Sequence, residues 1–259
     1  MAKAFGQSVE PSATDTEYQA FVATQTPQTS FWSHLQSYAH AGRTLRRAAL
    51  LTLSVSIAAM AVAVVVGFLL AVCRIFGPLP MRWFATAYIE IVRGTPLLIQ
   101  LLFIFYGLPN VGLRLSPFVA SVLGLGLNYA ASEAENYRAS LLAVPVGQWQ
   151  ASLALGLTQT KTLRLVIVPQ ALRLVLPPLT NDFISLLKDS SLVSALTMLE
   201  LTGAYHRLAT ETFDYFGAGL LIALIYLLLG LPFVRLARWT EQRLGKGRLG
   251  LPGRQPNYR

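Results

Sequence analysis

The chain holds a single cysteine, Cys73, among 259 residues. An internal disulfide is therefore excluded, and its place at the end of an apolar run reads as a small buried hydrophobe rather than a redox centre. Charge is scarce: Asp, Glu, Lys and Arg make up 13% of the chain, against about 25% in a soluble domain. Histidine is scarcer still, with His34, His40 and His206 at no spacing that a metal site would need. No HExxH, CxxC or GxSxG pattern occurs. Residues 156–162 loosely resemble a phosphate loop, but Thr160 stands where GxxxxGK[ST] requires glycine before the lysine, so no ATP site is legible.

Apolar residues are abundant instead, 54% of the chain, with a mean hydropathy of +0.50. Ala48 to Cys73 is a charge-free run of 26 residues. As a helix it reaches about 39 Å, more than the roughly 30 Å of hydrocarbon in a bilayer. Gly94 to Leu113 and Tyr215 to Val234 are charge-free runs of 20. Two further spans are interrupted: one starts at Leu115 and ends in a polar stretch, and the other, from Leu165 to Leu187, carries Arg173, Asp182 and three prolines. Such segments must pack inside an assembly, where neighbours satisfy them.

The reading is an all-α integral membrane protein with five transmembrane helices, at about 48–73, 83–113, 116–142, 164–188 and 214–236. Residues 1–42 are expected to be a polar, disordered tail, 43–242 the membrane domain and 243–259 a basic tail. No signal peptide is expected, because the first apolar run starts near Ala48 and is too long for one. The net charge of +9 is an orientation signal rather than a nucleic-acid footprint: 14 of the 21 Lys and Arg residues fall on the C-terminal side of the topology and 7 on the other. Positive residues favour the cytoplasmic face. The C-terminus and segments 74–93 and 138–173 are thus placed inside, and the N-terminus outside.

Residues 82–93 are amphipathic at helical spacing, with Phe84, Ala87, Tyr88 and Ile91 opposite Arg82, Thr86, Glu90 and Arg93. The Thr95-Pro96 pair predicts a kink near Gly94, with Thr95 as N-cap of the next helix. No internal repeat is visible. On the third span Ser121, Gly124, Asn128, Ser132 and Glu135 form a small and polar stripe, and such stripes more often serve helix packing than a pathway. Glu135 and Arg138 are spaced to pair, whereas Glu133 points off the stripe with no helical partner. On the fourth span Asp182, Ser185 and Asp189 share a face, with Asn181 and Lys188 beside it, and Lys188 with Asp189 is a candidate structural or gating pair. Between these spans, Pro145 and Gly156 bound a short helix carrying Trp149, either a cover for the bundle or a docking element.

This last segment resembles the cytoplasmic EAA loop of ABC importer permeases, whose pattern is matched in spacing by Gln150, Ala151, Ser152, Gly156, Val166, Val168 and Pro169. Three further stretches, Tyr88 to Leu98, Ala134 to Arg138 and Leu176 to Leu192, are similar to the polar amino-acid branch of that family. The resemblance covers about residues 45–245. It implies a transport subunit of a bacterial inner membrane, not an enzyme, that works as one of two permease subunits. Loop 144–163, with Gly147, Trp149, Gln150, Ala151, Ser152 and Gly156, together with Pro169 just beyond it, would dock into a dimer of separate ATP-binding cassette subunits. ATP and Mg would sit on those subunits and no cofactor on this chain. An extracytoplasmic binding protein would deliver a polar amino acid, basic ones being a candidate subset.

Two departures from the pattern matter. Gln150 replaces the acidic residue and Val146 the expected lysine, so a second, different permease subunit is favoured over a homodimer. Glu133 stands where the family implies an apolar or small residue, which makes it the first candidate for substrate choice. The candidate pathway set is Asn128, Glu133, Asn181, Asp182 and Ser185. An ion-coupled secondary transporter is the alternative, and a membrane interaction subunit without transport is a third reading.

Overall fold

The computed structural model describes residues 31–245, so the first 30 residues of the expected tail and residues 246–259 lie outside the described part. Among the described residues nine α-helices follow one another: α1 (Phe31–Phe76), α2 (Leu79–Gly94), α3 (Leu97–Leu102), α4 (Pro117–Leu142), α5 (Val146–Ala154), α6 (Gln159–Thr162), α7 (Val168–Asp189), α8 (Leu201–Thr212) and α9 (Tyr215–Gly245). No strand occurs among the described residues. The first helix begins at Phe31, well before the apolar run.

Two π-turns, Phe103–Gly107 and Leu163–Ile167, directly precede segments whose second residues are Pro109 and Pro169. Proline lacks the N–H that an α-helix would use and crowds the preceding turn, and widening that turn lets the chain stay helical. α3 continues through its π-turn and the 3₁₀ turn Leu108–Val111 to form a rod over Leu97–Val111.

Among the described residues three helical stretches, Ala41–Phe76, Gln159–Leu196 and Tyr215–Gln242, are long and apolar enough to cross a bilayer. The pair Leu79–Gly94 and Leu97–Val111, bent by 107°, has the length and composition of a fourth crossing when the two helices are taken together as one broken span. α4 has the length of a crossing, 26 residues, but carries Glu133, Glu135 and Arg138. It can do so because it is the central helix, with residues from Ala120 to Ser140 buried by its neighbours.

Contact between α1 and α4 organises the bundle, and small residues make it close. A Cβ on Gly67 would sit 2.7 Å from the Glu133 Cβ and 2.9 Å from the Ala130 carbonyl oxygen. One on Gly126 would sit 2.8 Å from the Val62 Cβ. In lipid, where association has little hydrophobic drive, such backbone approach supplies the packing energy. Around it lie a core of Val55, Ala59, Leu101, Leu125, Tyr129 and Leu186 and a second of Leu70, Ala85, Ile89, Ala130 and Ala134.

The structure corrects two local expectations. Thr95 does not cap the following helix: it ends α2, its hydroxyl donating back to the Ile91 carbonyl at 3.0 Å, while Pro96 occupies the N-cap. The packed face of α2 is Ala85 and Ile89, whereas Phe84 and Ile91 are exposed. An amphipathic reading presumes water on the polar side; next to hydrocarbon, large apolar groups point outward and small ones pack.

Gly67→Ala and Gly126→Ala are expected to lower stability by about 1–3 kcal/mol each through overpacking. Gly94→Ala, with nothing within 4 Å of the added carbon, should leave it unchanged. Thermal denaturation of the detergent-solubilised protein separates the three.

Candidate functional site

Polar side chains inside the bundle are gathered by α4. Glu133 is fully buried, and its Oε2 accepts a bond from Asn136 Nδ2 at 3.4 Å. The same amide nitrogen donates to Asp182 Oδ2 on α7 at 2.9 Å. Asn136 thus bridges two carboxyl groups, and Glu133 Oε1 is left without a partner. One helical turn toward the α4 N-terminus, the Tyr129 hydroxyl donates to Asp189 Oδ2 at 2.7 Å.

Asn128 lies on another face and donates from Nδ2 to Gln100 Oε1 at 3.2 Å. Gln100 in turn donates from Nε2 to the Val92 carbonyl at 2.8 Å, the Thr95 carbonyl at 3.2 Å and the Thr95 hydroxyl at 2.6 Å. Its one amide therefore spans the bend, meeting backbone acceptors that the break in the helix sets free.

Toward the far end of α4, Glu135 is held by two cations: Arg74 Nη1 from α1 and Arg138 Nε at 2.8 Å. α1 and α4 are thereby joined at the end nearest α5. Asp182 and Asp189 both turn toward α4. Asn181, Ser185 and Lys188 are exposed on a different face of α7, where Asn181 Nδ2 donates to Glu241 Oε1 of α9 at 3.3 Å. The structure thus unites Glu133 with Asp182 and places Asn128, Asn181 and Ser185 apart from them. Lys188 and Asp189, being sequence neighbours, point in different directions.

α5 lies on the bundle like a clip. Trp149 is half-buried against Val144, Ile167 and Ala171, and Ser152 is buried with its hydroxyl donating to the Gln148 carbonyl at 2.7 Å. Gln170 Nε2 ties α7 to Gln148 Oε1 at 3.3 Å. Gly147, Gln150, Ala151, Gly156 and Pro169 are exposed, as are Leu153 and Leu155. Gly156 holds φ at +81°, a left-handed conformation open to glycine at little cost. This ends the helix sharply and leaves an outward face with apolar tips.

Several contributors escape a reading by sequence alone. Asn136 and Gln100 carry no charge and act only through partners far along the chain. Glu200 is the largest omission. Its carboxylate is buried and accepts from the Thr202 and Gly203 amides at 2.8 and 3.0 Å and from the Tyr226 hydroxyl at 2.9 Å. The Thr52 hydroxyl meets it at 3.4 Å and accepts the Leu201 amide at 3.2 Å. One acidic side chain so caps α8 and ties it to α1 and α9; its position just before a helix start was the available signal.

A bundle of this kind, with an exposed clip helix and a polar interior, defines a membrane transport subunit. The chain belongs to the family described as binding-protein-dependent transport system inner membrane component, whose model matches residues 63–246. Among its relatives are the Bacillus subtilis L-cystine transport system permease protein TcyB, 40% identical over 63% of this chain and 70% of that one, and the Escherichia coli glutamine transport system permease protein GlnP, 36% identical over 75% and 90%. Among solved structures, one described as an amino acid ABC transporter with histidines superposes with a TM-score of 0.78 at 35% identity, covering 84% of this chain and all of the other. The MetNI methionine ABC transporter, at 24% identity and a TM-score of 0.60 over 77% of this chain and 97% of the other, shares the fold.

Asn136→Ala is expected to cost about 1–3 kcal/mol, since it strips both carboxyl groups of their shared donor in a dry interface. In the double variant with Glu133→Gln most of that cost should return, a non-additivity that a thermal double-mutant cycle measures.

Proposed function

We propose that this chain is the membrane-spanning subunit of an ATP-driven importer of polar amino acids. The observation that carries this reading is α5: a short helix anchored by Trp149, with Gln150 and Ala151 exposed, in a chain of the permease family. Its open face suits docking to a separate ATPase, on which ATP and Mg would be bound. The substrate class is supported by the relatives, named for cystine and glutamine, and by the solved amino acid transporter.

In this reading residues 43–242 form the permease domain, with the coupling loop at 144–163 and tails at 1–42 and 243–259. The excess of Lys and Arg places α5 and the C-terminus in the cytoplasm and the N-terminus outside. A binding protein delivers the amino acid from outside. A second permease subunit of different sequence completes the pathway, because Gln150 supplies no charge to the ATPase and another chain must carry the stronger contact. Asn128, Glu133, Asn181, Asp182 and Ser185 are the pathway candidates. Glu133 is sealed between α1 and α4 in this conformation, which suits a role in setting the site behind Asp182 rather than in touching cargo. Glu135 with Arg138 and Arg74 forms the structural ion cluster that braces the end nearest α5.

Four measurements test this. The importer should drive uptake with ATP in vesicles whose ion gradients are collapsed; dependence on a gradient would favour the secondary-transporter reading. Substituting Gln150→Arg together with Ala151→Asp on the exposed face should abolish co-purification with the ATPase while leaving the thermal stability of this subunit within about 0.5 kcal/mol, as surface changes do. A stable, active transporter assembled from this chain and the ATPase alone would overturn the two-permease part. Asp182→Asn should reduce uptake of basic amino acids more than of neutral ones, since it removes a negative charge facing the interior.

A further inference from the structure

Helix α1 is unbroken and carries its arginines at two levels only. Arg43, Arg46 and Arg47 stand at one end of its charge-free run and Arg74 at the other. From Arg47 to Arg74 the helix rises about 40 Å, and a bilayer with its headgroup regions is about 40–45 Å thick. The two ends therefore lie at opposite headgroup levels. Arg74 is neutralised by Glu135. Arg43, Arg46 and Arg47 are exposed, and none of them has an ion-pair or hydrogen-bond partner among the described residues.

Helical spacing fixes where these arginines point. Arg43, Arg46, Arg47 and Leu50 stand three or four residues apart and so share one face. That face continues through Ile57, Val65, Phe68, Val72 and Phe76, all exposed. The opposite face is built from Ser56, Ala59, Ala63 and Gly67 and is buried in the bundle. Helix contacts inside a membrane select small side chains, so a face of large apolar ones turned outward meets acyl chains. From Leu50 to Phe76 this lipid-facing stripe is about 39 Å long, and three guanidinium groups stand at its head.

We propose that Arg43, Arg46 and Arg47 bind the phosphate of an anionic phospholipid in the leaflet remote from α5, with its acyl chains lying along Leu50 and Ile57. A phosphodiester fits this patch in charge and in shape, because a guanidinium offers paired donors to two phosphate oxygens and is less strongly hydrated than an ammonium. The arginines occupy the headgroup level, and Leu50, one turn below, begins the hydrocarbon. A protein with an acidic surface would have to sit on a face continuous with the lipid-exposed stripe, which makes lipid the occupant that the geometry favours. The site acts as a collar: α1 runs on beyond it as far as Phe31, and a bound phosphate fixes how far that end rises from the bilayer. It is independent of what the subunit transports.

Position-resolved quenching in vesicles tests this. The full chain with Cys73→Ala carries a fluorescent thiol label at Leu50→Cys and is reconstituted in phosphatidylcholine. Phosphatidylglycerol with a nitroxide near the headgroup end of its chain should quench the label at least about tenfold more effectively than phosphatidylcholine with the same nitroxide, since each arginine beside an anionic lipid contributes about fivefold. The triple change Arg43→Gln, Arg46→Gln and Arg47→Gln should bring the two lipids to parity, whereas Arg43→Lys, Arg46→Lys and Arg47→Lys together should keep most of the preference. A label at Val65→Cys, on the same stripe about 27 Å from Arg47, should be quenched equally by both lipids.

Equal quenching by the two lipids at position 50, with all three arginines in place, would overturn the proposal. A preference that survives the triple glutamine change would do the same, because it would owe nothing to these side chains. Absence of quenching at position 50 by either lipid would mean that protein covers this face, and would overturn it too. Each single change to glutamine should lower the preference severalfold, so the result does not rest on the triple variant alone.

Discussion

Close approach of α1 to α4 is the constraint on which the rest of the molecule depends. Gly67 and Gly126 remove the side chains that would hold the two backbones apart. Once they touch, Glu133 is enclosed, Arg74 comes within reach of Glu135, and α2 can lay Ala85 and Ile89 across both helices. A bundle assembled in lipid has no expulsion of water to draw its helices together, so contact area and polar pairing must do so. The small residues of α4 serve the first need and its carboxyl groups the second.

Polar groups in the interior are then dealt with by neutral bridges rather than by salt bridges. Asn136 links two carboxyl groups, and Gln100 mends a broken helix while receiving Asn128. An amide can do this because it carries donors and an acceptor without a charge to desolvate. Formal ion pairs involving Glu135 are confined to the end of α4 nearest α5, where its side chain is partly exposed. Glu200 follows a third pattern, a buried carboxylate surrounded by backbone and hydroxyl donors that uses the positive end of α8.

Much of the helical plan was legible in the order of residues, because long charge-free runs have few alternatives and Pro145, Gly156 and Pro169 punctuate the chain. The bend after Gly94 was legible for the same reason. Which face of α2 packs was not, since periodicity reports polarity and not whether lipid or protein lies on the apolar side. Nor could spacing along α4 tell that Glu133 faces Gly67, or that Asp182 and Asp189 turn one way and Lys188 another. Those facts depend on where α1 and α7 lie around α4. The loop resemblance located α5, but the burial of Trp149 and Ser152 and the exposure of Gln150 come only from its contact with the start of α7.

The rod beginning at Leu97 meets α2 at a right-angled elbow of two residues, across which the only side-chain brace among the described residues is the Gln100 amide. Stiffness in a chain of rods is limited by its softest joint, and here the compliance of the whole segment is concentrated in that one amide. A force applied to α2 is therefore converted into rotation about Thr95 and Pro96 instead of bending the rod beyond them. Leu101 and Ile104 seat the rod against Gly124, so any change of angle between α2 and the rod would be taken up at Thr95 and Pro96 rather than within the rod.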